Sequence, residues 1–443
     1  MIKTIRNAWK VPELRGKLLF TVFALLIFRL GSAIPVPFIN TELLSSYIAS
    51  QSASIFGLLN VMSGDAFAQA TVFALSIQPY INSSIIIQLL TIAIPALERM
   101  SKEGGEEGKK KIAAITRYAT VAIALLQAFG YYTMITYYGF VTKGIWPAIV
   151  IISAFVAGSA FLMWLGEQIT EFGIGNGISI ILFAGIVARG PNMVYSIWLG
   201  VVNWLNKANP ESATVLHPAF ILLIVLGMLL LVAFIVFMDG AERRIPVQYA
   251  KRVVGRKMYG GQSSHLPIKL AMSGVLPIIF AQSIASIPAT IGMFVPSASV
   301  EGTFWHGFLD VFDSRGVFYS IVYFLLIVLF SYFYNTIQFN PVEVANNLKK
   351  NGGFVPGFRP GKPTSDFISK VVSRLTLFGA LYLAVVALLP TIVGNIMLLA
   401  GSSAGRSLAI GGTSIIIVVG VALETVKALE AQLMMRHYKG FLE

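Results

Sequence analysis

The chain has 443 residues, of which 56% are hydrophobic and only 12% charged. A soluble domain carries about 25% charged residues, so this chain cannot cover a water-facing surface and its solvent is largely lipid. It has no cysteine and a formal charge of +13; disulfides, thiolate zinc sites and cysteine nucleophiles are excluded, and the excess cations must be placed first against membrane topology, because cytoplasmic loops collect Lys and Arg.

A helix needs about 20 apolar residues to span the hydrocarbon. The first apolar run begins near Leu18, outlasts the short core of a signal peptide and has no small-residue cleavage site, so it reads as a span. Taken in chain order, the apolar runs predict ten spans, at 18–37, 71–97, 112–138, 144–165, 178–198, 218–238, 270–294, 316–337, 375–393 and 407–426. The expected class is an all-α polytopic membrane protein. Arg189, Gly190 and Pro191 interrupt the fifth run, and its loss would invert every later loop. Charge placement supports keeping it. With the N-terminus cytoplasmic, Lys143, Arg189, Lys207, Arg315 and Arg406 fall outside, Arg29 lies within the first span, and the rest of the 33 lysines and arginines are inside. Both ends are then cytoplasmic. Five spans lie in 1–205 and five in 206–443, an arrangement that suits two inverted halves with a pathway between them.

The first outside segment, 36–70, has neither Lys nor Arg. Its apolar stretch 54–62, followed by Ser63-Gly64-Asp65, is too short to span. It reads either as a re-entrant helix, which needs protein or a water-filled cavity around it, or as a surface amphipathic helix. The second span carries Gln78, Asn82, Ser83, Ser84 and Gln88 with Pro79; the seventh carries Ser273, Gln282, Ser283 and Ser286 with Pro277 and Pro288. Such polarity fits interhelical hydrogen bonds, at about 0.6 kcal/mol each, or a pair of helices facing a partly aqueous interior. Two cytoplasmic loops, 239–269 and 338–374, are long and basic. They suit contact with anionic lipid or docking of a partner.

Catalytic chemistry is poorly represented. His217, His265, His306 and His437 are scattered and lack metal-ligand spacing. The glycines of 173–177 lack the spacing of a nucleotide loop and read as a tight turn. Spans nearly free of ionisable groups argue against a proton relay. An intramembrane enzyme would need a nucleophile with its base or a metal cluster, and no cofactor is expected. A secondary solute transporter, the alternative reading, would need midplane charges. A passive conduit driven from elsewhere fits better.

Several long strings, in order along the chain, resemble the SecY family of preprotein translocase channels: FRLGSAIPVP (28–37), FALSIQPYINSSIIIQLLT (73–91), KKKIAAITRYAT (109–120), MWLGEQITEFGIGNGISI (163–180), QSSHLPIKLAMSGVLPIIFA (262–281), FNPVEVANNLKKNGGFVPGFRPGKPT (339–364) and LAIGGTSIIIVVGV (408–421). The resemblance implies two five-helix halves clamped around an hourglass pore. It implies a plug at about 54–66, including Ile55, Leu58, Leu59, Met62, Ser63 and Gly64. It implies an apolar ring of Ile77, Ile81, Ile178, Leu182, Ile279 and Ile417. The second and seventh helices would form a lateral gate toward lipid, with Asn82 and Gln127 as its polar residues; the chain departs from the family at Ala271, where many relatives carry Asn. Arg243, Arg244, Arg256, Lys257 and Arg359 would contact the ATPase motor SecA and the ribosome, Lys257 standing where some relatives have Arg. Implied partners are SecE, SecG, SecA, the ribosome, signal sequences with their preprotein clients, and membrane lipid. The implied location is the bacterial plasma membrane.

Overall fold

A computed structural model describes residues 2–50, 60, 63–206, 218–249, 252–254, 257–259, 263–295, 303–312, 316–399 and 405–439. The N-terminal part runs α1 (Ile2–Lys10), α2 (Pro12–Gly31), α3 (Thr41–Ser50), α4 (Gln78–Ala93), α5 (Pro95–Lys102), α6 (Gly105–Tyr137), α7 (Ile145–Phe172), α8 (Gly177–Ala188) and α9 (Gly190–Leu205). After α10 (Pro218–Gly240) come four strands, β1 (Glu242–Tyr249), β2 (Arg252–Val254), β3 (Lys257–Tyr259) and β4 (Ser263–Lys269). The rest is α11 (Leu276–Ala285), α12 (Ile287–Gly292), α13 (Phe304–Val311), α14 (Val317–Gln338), α15 (Pro341–Lys350), β5 (Gly353–Phe354), α16 (Lys362–Leu399) and α17 (Gly405–Lys439).

Local chemistry explains the main breaks. Pro12, Pro79 and Pro341 sit in the first turns of their helices, where the missing N–H would be unpaired anyway. Asn176 and Asn340 cap α8 and α15 through their side-chain oxygens. Ile94 is extended, as a residue before proline prefers. The helices on its two sides meet at 104°.

Among the described residues, four helical segments are long and apolar enough to cross a membrane: Gly105–Tyr137, Ile145–Phe172, Val317–Lys350 and Lys362–Val393. Counting the bent pair α4–α5 as one span makes five. The fifth expected run is broken at Arg189 into α8 and α9, and the seventh at Ser286 into α11 and α12. The apolar helix α10 exposes Leu223 (66%), Leu230 (63%) and Phe237 (72%). No aqueous surface would favour such a helix; lipid would.

The second expected span departs most from its sequence pattern. Its helix begins at Gln78 rather than Thr71. Residues 66–77 are instead irregular and almost wholly buried. Asp65, Ala70 and Ser76 adopt left-handed backbone angles. Thr71 bridges to Pro35, Val36 N donates to Ala70 O (3.0 Å), and Val72 N donates to Ile34 O (3.0 Å). Non-helical backbone at membrane depth persists only where protein surrounds it, and here α2 and α7 do so. Phe73 stacks between Phe28 and Phe161, with centroids at 6.1 and 6.0 Å. A Cβ on Gly158 would lie 2.0 Å from Val72 O. Gly158→Ala is therefore expected to lower stability by about 1–3 kcal/mol, seen as a reduced melting temperature of the purified protein. An unchanged melting temperature would mean that α7 and this segment can part without loss.

The loop regions are not irregular either, which corrects the all-α expectation: the chain is mostly helical with small sheets. β4, β1 and β5 form an antiparallel sheet in that order, with Arg243 opposite Ile268 and Gln248 opposite Phe354. Ile245, Val247 and Ile268 point into a small core with Val355, Ile368 and Val372. Thus the β1–β4 hairpin and the segment after α15, distant in sequence, share one core.

Candidate functional site

The expected ring residues come from four segments. Ile77 precedes α4 and Ile81 lies in its first turn. Asn176 fixes the start of α8 by accepting from the N–H groups of Ile178 (3.1 Å) and Ser179 (3.4 Å), which orients Ile178 and, one turn on, Leu182. Ile279 lies on α11 and Ile417 on α17. Five of the six are buried in the same apolar cluster and Ile178 packs against it. Two of them converge on Gly166, whose missing Cβ would contact Ile77 Cδ1 at 3.4 Å and Ile178 Cγ1 at 3.5 Å. Residues from both sequence halves thus belong to one apolar cluster. An apolar constriction built from such side chains would give an ion nothing to replace its hydration shell, and would seal by dewetting.

Beside the waist, two hydrogen bonds join the N-terminal half to the α11–α12 region. Gln78 Nε2 donates to Ser286 Oγ (3.3 Å), and Thr133 Oγ1 donates to Met293 O (3.0 Å). Between them a cavity of about 30 Å³ is lined by Ser76, Gln78, Gln127, Thr290 and apolar neighbours, room for about one water. Gln127 is buried with its Oε1 unpartnered. Asn82 is half-buried one turn beyond Gln78 on α4. The sequence marks Gln78 and Ser286 as unusual polar residues, but their 208-residue separation leaves no signal of the pairing.

Of the expected plug residues, Ile55, Leu58, Leu59 and Met62 lie outside the described residues. Ser63 and Gly64 begin a tightly bonded segment. Ser63 Oγ donates to Asn60 O (3.1 Å) and accepts from Phe67 N (3.0 Å). Asn60 Oδ1 accepts from Ala68 N (2.9 Å), and Tyr131 OH donates to Phe67 O (2.6 Å). Asp65 pairs with Arg189 (3.1 Å), a contact that the sequence pattern does not reveal.

Arg243 and Arg244 are exposed on β1, Arg244 paired with Glu242 at 2.7 Å. Lys257 opens β3, and Arg256 lies outside the described residues. Arg359 is exposed in a turn between β5 and α16. Gly357 and Gly361, with φ of 88° and 103°, bracket it, conformations that glycine adopts without strain. Thr364 Oγ1 donates to Arg359 O (2.8 Å), and Phe358 stacks on Phe367 (4.2 Å). A fixed turn therefore presents this guanidinium on the same body as β1.

Comparison with known proteins places the chain in a family. The SecY family model matches residues 71–426. The protein translocase subunit SecY of Streptomyces coelicolor is 44% identical, and that of Halalkalibacterium halodurans 43%, each over 100% of both chains. Among solved structures, a protein-conducting channel aligns with a TM-score of 0.63 at 18% identity, covering 94% of this chain and 92% of that one. Sec61 of a canine ribosome-channel complex from the endoplasmic reticulum gives 0.58 at 16%, with the same coverage. At that identity the structures speak for the fold alone, while the family match and the full-length relatives speak for ancestry: this chain belongs to the SecY family.

Proposed function

We propose that the chain is the protein-conducting subunit of a Sec translocon, a non-enzymatic, multi-pass membrane channel for unfolded preproteins. The observation that carries this reading is the meeting of Ile77, Ile81, Leu182, Ile279 and Ile417 in one buried cluster, with Ile178 against it, in a chain whose full-length relatives are translocase subunits. An extended polypeptide fills an apolar waist with its own side chains, and branched alkyl groups deform around it without specific contacts. When the channel is empty, the same groups resist ion flow.

The finer organisation we infer is ten spans in two inverted halves, 1–205 and 206–443, with both termini cytoplasmic in a bacterial plasma membrane. The plug is the segment 54–66. The lateral gate runs between α4 and α11, where signal sequences and membrane segments leave toward lipid; the Gln78–Ser286 bond and the pocket at Gln127 support this seam. Asn82 lies beyond them on the same helix. SecA and the ribosome dock on the cytoplasmic body that carries Arg243, Arg244, Arg256, Lys257 and Arg359. SecE and SecG complete the complex. The driving force comes from SecA's ATP hydrolysis, from translation or from the membrane potential, so no cofactor of this chain is required.

Reconstitution tests the proposal. Vesicles holding this chain with SecE and SecG should accumulate protease-protected preprotein when SecA and ATP are added. Absence of protected preprotein in vesicles that bind SecA normally would contradict it.

A further inference from the structure

Arg189 is the residue that the proposed function leaves unexplained. It interrupts an apolar run, ends α8 and is among the few cations assigned to the outer side. Its Nε lies 3.1 Å from Asp65 Oδ1. The same carboxylate oxygen accepts from Asn60 Nδ2 at 2.9 Å. One residue earlier, Gly64 (φ 66°) lies flush on α8: a Cβ there would sit 2.7 Å from Gly185 O and 3.0 Å from Gly185 Cα. Two glycines and an ion pair therefore hold the same short stretch of the first outside segment against the outer end of α8.

We propose that Arg189, acting through Asp65, is a positioning residue that holds the root of the plug against α8 and so sets how readily the closed pore opens. This rests on the reading of 54–66 as a plug. The segment has two anchors of different character. The C-terminal anchor is deeply buried: Tyr131 bonds Phe67 O, and residues 70–72 pair with 34–36. The N-terminal anchor is the Asn60–Asp65–Arg189 cluster, whose charged side chains keep 25% and 35% exposure. Partly exposed ion pairs are weak and readily exchanged for water, so this anchor is the one that yields first. Asp65 also holds a left-handed φ of 72°, which Asp and Asn tolerate better than other side chains. Such a conformation persists only while its surroundings enforce it. Release of Arg189 therefore loosens Asp65, Asn60 and Gly64 together, whereas residues beyond Phe67 stay pinned.

The test is voltage-driven ion conductance of idle channels, this chain with SecE and SecG in vesicles. Asp65→Asn keeps the left-handed preference and shape, Arg189→Gln removes the cation, and Arg189→Lys retains it. Each neutral variant should raise idle conductance roughly two- to fivefold, the double variant should add little to either, and Arg189→Lys should stay near the original. Should Arg189→Gln fail to assemble, Asp65→Asn carries the test alone. The waist variant Ile81→Asn/Ile279→Asn is the control. If it leaks while the Asp65 and Arg189 variants do not, or if their effects simply multiply, the positioning role is overturned and the channel reading stands. If no variant leaks, the reading of the waist itself fails, and with it this inference.

Discussion

Replacing Ile81 and Ile279 together with asparagine is expected to raise the ion conductance of the idle channel on the order of tenfold, equivalent to ~1.4 kcal/mol off the barrier. Both residues are buried in the apolar cluster, one on α4 and the other on α11. A dewetted constriction excludes ions because it offers no substitute for their hydration. Two carboxamides placed in that cluster would supply donors and acceptors and let water persist there. The substitution also removes packed alkyl volume, so the fold needs its own check: Ile81→Leu/Ile279→Leu keeps volume and apolarity and should cost little stability. That variant should stay sealed. If the asparagine variant folds and stays as tight as the parent, the ring is wrongly assigned.

Charge reversal at Arg359 is expected to act at a different stage. Arg359→Glu should slow SecA-driven translocation about tenfold or more, since a truncated or reversed arginine at the centre of a docking surface typically costs ~2 kcal/mol or more of binding. The side chain is exposed and its turn is fixed by Gly357, Gly361 and the Phe358–Phe367 stack. An exposed substitution of this kind should leave folding within about 0.5 kcal/mol, and idle conductance unchanged. Added salt should weaken docking in the parent more than in the variant, because screening acts on the very attraction that the variant lacks. Normal secretion by the variant would remove Arg359 from the docking surface.

Lipid as solvent was legible from composition. The turn at 173–177 was legible too: Gly175 adopts a φ of 75° and Asn176 caps the following helix. Apolarity along the chain could not reveal where the second helix starts. Residues 71–77 are as apolar as a helix interior, yet they pair with 34–36 and lie between Phe28 and Phe161; hydrophobicity reports burial, and an irregular segment buried in protein looks the same. The small sheet was hidden for a different reason. Pro246 and Pro267 sit within short strands, and proline usually argues against a strand. The pairing of β1 with β5 is non-local, so neither loop by itself signals that the two basic regions form one body. The same limit applies to Gln78–Ser286 and Asp65–Arg189. Each partner is visible as an oddity in an apolar run, and only the fold makes the pair.

Crosslinking is the most direct measurement of a polypeptide path through the waist. A photo-reactive group is placed at Ile81 or at Ile279, and a secretory chain carrying a bulky folded end is stalled halfway across reconstituted vesicles. Crosslinks to the stalled chain are expected from both positions and none from Leu223, which is exposed on α10. Crosslinks from Leu223 with none from Ile81 or Ile279 would put the conduit elsewhere and contradict a path through the waist.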